Sequence, residues 1–225
     1  MPETELLDLV DTDRRRELLT VLTAEHSNLQ AARSTGVAEA SGRTTSFFAA
    51  LSGALVALAL VAPVEALRPM LPPVAFVFAM TLTYIGLITF LRLVQLARMD
   101  SLLVVGINRI RHRYIELVPG LADVEVLSAH DDLAGIIGDA SLTGRTSSRL
   151  DTLASAPALV AVIDGILAAV LFGLAATMLG TSISASLAIG VVVGLATDAA
   201  LLVYGLRTGV QFWRAHPPRH PTPPA

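Results

Sequence analysis

The chain has 225 residues, 53% of them hydrophobic and only 16% charged, with a net charge of −3 and no cysteine. Soluble domains carry charge on roughly 25% of their residues, and here the apolar residues arrive in long uninterrupted blocks, which argues against an ordinary water-soluble domain. The missing cysteine excludes disulfides and thiolate chemistry, and the slightly acidic balance gives no basic surface for nucleic acid.

Residues 1–44 are polar and charged, and the first apolar block begins too late to serve as the core of a secretory signal. Asp13 to Gly42 reads as a helix. Leu18, Leu22, His26, Leu29, Arg33 and Val37 recur at steps of three and four, and Asp11 or Thr12 is placed to cap it. Its second half is rich in small residues, and it can run straight into the block that follows.

That block, Thr45 to Val64, is the first predicted span. A short turn, Glu65 to Pro69, leads to the second, Met70 to Leu91, whose Pro72 and Pro73 fall in the first turn, where missing amide donors cost little. Residues 92–156 form a polar linker. Arg92 to Leu117 reads as a helical continuation of the second span, ended by Pro119–Gly120. A second linker helix is predicted over Leu121 to Ala140, and Gly144 to Thr152 reads as a polar lead into the next span. Pro157 to Leu179 and Ile183 to Leu206 are the third and fourth spans, and 207–225 is a Pro-rich tail expected to be disordered. Each block has about the 20 residues that a helix needs to cross about 30 Å of hydrocarbon. None keeps the polar stripe of a helix in a soluble bundle.

The expected fold is therefore all-α: a four-span helical membrane protein of two hairpins (45–91 and 157–206) with juxtamembrane cytoplasmic helices. Arginine placement orients it. Residues 1–44, 92–156 and 207–225 hold every arginine except Arg68, so the positive-inside rule puts both termini and the linker in the cytoplasm of a bacterial plasma membrane. Phe212 and Trp213 follow the fourth span as an interfacial anchor. The similar strings Gly42–Arg43–Thr44 and Gly144–Arg145–Thr146 each precede a hairpin and hint at a duplication.

Two carboxylates inside the predicted spans are the leading functional pointers. Asp164 lies on the third span and Asp198 on the fourth, equally far from a turn centred near Thr181. They are expected at the same depth and nearly facing each other. An acid there must be paired, protonated or in contact with water. Thr81 and Tyr84 on the second span are candidates for further polar lining. Gly190, Gly194 and Asp198 recur four apart, with Gly165 and Gly173 on the neighbouring span and Gly53 on the first. These glycines are expected to let helices approach closely. Arg109, Arg111, His112 and Arg113 are candidates for contact with lipid headgroups or another anion.

The chain contains no Walker, GxSxG, HExxH or zinc-ligand pattern. No catalytic set, metal or cofactor is expected. Expected partners are membrane lipids, a second copy of the chain or a cytoplasmic protein. Three functional classes stay open: a membrane scaffold or partner-binding component, ranked first; an oligomeric channel, pore or small cation- or proton-coupled transporter using Asp164 and Asp198; and an enzyme acting on lipid. The stretch EHSNLQAARSTGVAEASGRTTSFFAALSGALVALALVA from Glu25, together with RIRHRYIEL after the second span, resembles uncharacterised multi-pass membrane proteins of actinobacteria. That resemblance implies no particular activity. In architecture alone the chain is also loosely similar to transmembrane effectors of bacterial defence systems, which join membrane hairpins to cytoplasmic helices.

Overall fold

The computed structural model describes residues 3–124, 127–140 and 155–223. Among these the regular structure is wholly helical. It comprises α1 (Glu3–Val61), a 3-10 turn (Glu65–Met70), α2 (Leu71–Leu117), a second 3-10 turn (Pro119–Asp123), α3 (Leu133–Ala140), α4 (Ala156–Met178) and α5 (Ile183–Ala215). Four helices, α1, α2, α4 and α5, are long and apolar enough to cross a membrane. The protein has the make-up of a multi-pass helical membrane protein.

The two longest helices merge elements of different character. α1 has 59 residues, more than twice the number needed to cross the hydrocarbon layer, and holds a polar first half and an apolar second half in one helix. α2 has 47 residues and runs through Arg92 without a break. No proline or glycine pair interrupts either junction, so the backbone ladder continues across the change in solvent preference.

The helices contribute to two compact units, one of residues 38–98 and 155–214 and the other built from residues up to 37, 99–140 and from 215 onwards. In the first, Phe47 of α1, Leu82, Phe90, Leu93 and Val94 of α2, Val160, Ala161 and Leu167 of α4 and Leu201 of α5 form the core. α4 is the most enclosed of the four apolar helices and α1 the least. Ser155 caps α4 by accepting from the Ala158 amide, with Pro157 next to it in the first turn. α4 ends on Gly180 at φ 85. The Gly180 amide donates to Thr177 O (3.0 Å) and the Thr181 amide to Ala176 O (3.2 Å), the pair of bonds that closes a Schellman motif. Ser182 then caps α5 through the Ala185 amide (3.3 Å). A turn this short forces α4 and α5 side by side.

One charged cluster ties the polar ends of this unit together. The Glu39 carboxylate accepts from Arg92 Nε (2.9 Å) and a terminal guanidinium nitrogen (3.0 Å), and from Arg43 Nε (2.9 Å). The Arg92 and Arg43 hydrogen bonds hold Glu39 far below the usual carboxylate range, at about 2.

In the second unit α1 packs on the distal part of α2. Leu29 meets Gly106, the His26 and Tyr114 rings stack, and Arg33 pairs with Asp100 at 2.8 Å. Two expectations fail here. Leu121 to Ala140 is not one helix. The chain makes the 3-10 turn at 119–123 and is non-helical at 127–132, and α3 begins only at Leu133. Asp132 caps that start by accepting from the Gly135 amide (2.9 Å), so helix cannot propagate backwards through it. The tail, too, is ordered as far as it is described. Residues 216–223 are non-helical but bound, through hydrogen bonds from Arg219, His220 and Thr222 to Asp131 and Asp132. The second Gly-Arg-Thr string and the lead at 144–152 lie outside the described residues.

Candidate functional site

The α4–α5 hairpin is built by backbone contact. A Cβ placed on Gly190 would lie 2.6 Å from Ala169 O, and one on Gly194 would lie 2.7 Å from Gly165 O and 2.8 Å from Ala169 Cβ. Gly173 faces the Ser186 carbonyl and Gly190 Cα across the same seam. Only hydrogen fits at 190 and 194, while a Cβ at 173 would find ordinary contact, and the close approach at 190 and 194 fixes the register of the two helices.

That register brings the acids together. The Asp198 carboxyl of α5 lies directly on Gly165 of α4, the neighbour of Asp164; a Cβ at 165 would overlap its oxygen and carboxyl carbon. Asp198 therefore stands at the level of Asp164 across the α4–α5 seam. Asp164 itself is 1% exposed. Its carboxyl rests on Gly86 of α2 beside the Phe47 ring of α1, and a Cβ at 86 would collide with Oδ1. Each acid thus sits on a glycine of another helix. The Oδ1 atoms of both Asp164 and Asp198 are buried and receive no hydrogen bond. Among the described residues no salt bridge reaches either acid. The site sets a buried carboxyl, Asp164, and a half-buried one, Asp198, each against a glycine, in a region to which four helices contribute.

The other candidates are distributed differently. Thr81 and Tyr84 are exposed on the outer side of α2, Tyr84 at 65%, and neither lines the acid pair. Thr83 and Thr197 donate to the carbonyls of Ala79 and Val193 one turn back, as hydroxyls in apolar helices commonly do. Gly53 has open space around it, so its small face packs on none of the described residues. Sequence reasoning missed Gly86 and Phe47. Gly86 could have been found, being the only glycine in the apolar block 70–91.

The basic cluster is drawn into the second unit. Arg109 Nε donates to the fully buried Asp131 (2.6 Å) and its terminal nitrogen reaches Pro217 O (3.4 Å). Arg111 is buried and donates to Asn108 Oδ1 (3.1 Å) and Ser128 O (3.4 Å). Arg113 pairs with Glu116 at 2.6 Å, which holds Glu116 below its ordinary value. The His112 ring stacks on His220, centroids 3.7 Å apart. Burial pushes Asp131 up, but hydrogen bonds from the Arg219 amide, Arg109 and the His220 amide outweigh it and leave the carboxyl below its usual value. Among the described residues no group of three His, Asp or Glu side chains is disposed to hold a metal ion.

Fold and site together define a four-helix membrane protein with an acid pair inside its apolar bundle. Comparison with family profiles, with curated proteins and with solved structures finds no match to this chain.

Proposed function

We propose that this protein binds and releases protons within a bacterial plasma membrane, both termini on the cytoplasmic side, and that Asp164 and Asp198 couple this to conduction or transport. The observation that carries the reading is the Asp164 carboxyl: buried to 1% exposure, seated on Gly86, with an oxygen that receives no hydrogen bond. An ionised carboxylate in such a place costs several kcal/mol unless a counter-charge or donors compensate. Two neighbouring acids cannot both carry that cost, so the pair is stable when it holds a proton. A proton suits the site better than a metal cation, because a desolvated cation needs several converging oxygens and the Asp164 carboxyl lies between Gly86 and the Phe47 ring. The arginine distribution supports the orientation.

The test is proton flux into liposomes across an imposed pH gradient, read with an entrapped pH-sensitive dye. Wild-type protein should dissipate the gradient. Asp164→Asn and Asp198→Asn should each abolish the flux while leaving the protein folded. Equal flux in all three would remove the assignment.

A second reading, a membrane scaffold or partner-binding component, is favoured by the unpartnered face of α1. Gly53 is exposed and no described residue packs on it, the type of surface on which a second copy or another membrane helix packs. It predicts that enlarging Gly53 changes the assembly without changing flux.

A further inference from the structure

The tail runs along the 128–132 segment and is held mainly by its backbone. Asp131 accepts from the Arg219 amide (3.0 Å) and the His220 amide (2.7 Å), and the Asp131 amide donates back to His220 O (3.2 Å). Asp132 accepts from the Thr222 amide (2.9 Å) and hydroxyl (2.8 Å). Arg109 reaches across to Pro217 O at 3.4 Å. The His220 ring covers this arrangement, lying on His112 with centroids 3.7 Å apart and planes at 24°. Neutral imidazoles stack stably at that spacing. Two imidazolium ions there would repel each other in a partly desolvated site.

We propose that residues 216–223 form a pH-operated latch, closed on Asp131 and Asp132 while the His112–His220 stack is uncharged, and opened as that stack gains positive charge.

The groups facing His112 come from three places. Glu116 on its own helix lies 3.6 Å from Nε2, His220 comes from the tail, and His130 and Asp131 come from the 128–132 segment. Burial and the two other histidines disfavour the charged ring, Glu116 and Asp131 favour it, and the balance holds His112 below its ordinary value. A base whose value is depressed in the closed state takes up a proton on opening. Closure is therefore favoured above the free imidazole value of about 6.5 and weakens as pH falls through and below it. Asp131 and Asp132 both lie below their ordinary values, so they stay ionised across that window and keep accepting.

The chain has no cysteine, so two introduced cysteines report on the latch in the full-length protein. Nitroxides on Leu133→Cys and Pro223→Cys, in lipid nanodiscs, give the distance between α3 and the tail by pulsed electron resonance. At pH 8 a single short, narrow distance is expected. At pH 5 a longer, broader population should appear at the expense of the short one. His112→Phe and His220→Phe keep an aromatic stack without the charge, and each should hold the latch closed at both pH values. An unchanged distance between pH 8 and pH 5, or an opening that survives in both phenylalanine variants, would overturn the latch. So would an opening that begins only below about pH 4, where carboxylates titrate.

Discussion

The carboxyl of Asp164 on α4 rests on the Cα of Gly86 on α2, with no room between them for a methyl group. That contact couples the acid to the packing of two helices. Gly86→Ala should destabilise the protein by about 1–3 kcal/mol, the usual cost of an overpacked interior. The penalty should shrink in an Asp164→Ala background, because the two changes share one volume. Unfolding in detergent of the four members of this cycle checks it. Additive penalties would mean that the two residues do not touch.

The glycines of the bundle fall into two classes with opposite expectations. Gly190→Ala and Gly194→Ala each drive a methyl group into backbone of α4, and each should cost about 1–3 kcal/mol. Gly53→Ala meets nothing, and should change stability by no more than about 0.5 kcal/mol. The same unfolding assay separates them, and three equal effects would contradict the packing described for the α4–α5 seam.

Glu39 predicts an acid-sensitive junction between α1 and α2. Arg92 and Arg43 hold it at about 2. A depressed acid contributes stability that is present above its unfolded value of 4.5 and lost as pH falls towards 2. Unfolding midpoints measured between pH 5 and pH 2 should fall less steeply in Glu39→Gln than in the wild type. Parallel curves would show that the cluster contributes nothing in solution.

Two ion pairs of similar length differ in burial and hence in value. Arg33–Asp100 is 2.8 Å long with both side chains exposed, and Asp100→Asn should cost about 0–1 kcal/mol. Asp131 is fully buried beneath Arg109, and Asp131→Asn should cost roughly 2–4 kcal/mol, because it leaves buried donors facing an amide. It should also remove hydrogen-exchange protection from the Arg219 and His220 amides. Protection that survives would mean that the tail is held by other contacts.

What sequence could and could not reveal follows from the chemistry that each feature rests on. The four apolar blocks and the helical run through Arg92 are counts along the chain, and they appear in the structure as helices; the count that sets Asp164 and Asp198 equally far from the turn agrees with Asp198 lying against Gly165. Rotation about the helix axis is a different matter. Lipid tails are as apolar as leucine, so composition does not distinguish the bundle side of α2 from its lipid side. Tyr84 and Thr81 face outward for that reason, and Gly86, not a hydroxyl, is what α2 presents to Asp164. Gly53 fails in the same way, as a small residue on a helix whose partner-facing side is marked by Phe47. The tail was misread because Pro-rich composition reports only on the capacity to build a core. Asp131 and Asp132 bind its backbone amides, which every sequence but proline supplies.

The central claim is that Asp164 and Asp198 together hold a proton inside the membrane. Infrared difference spectroscopy of the protein in lipid at neutral pH tests it most directly. The account predicts a carboxylic-acid carbonyl band that is slow to shift in heavy water, as expected of a dry site, and that is lost or displaced in both Asp164→Asn and Asp198→Asn. A spectrum with no such band, or a band that both variants keep unchanged from the wild type, would contradict it.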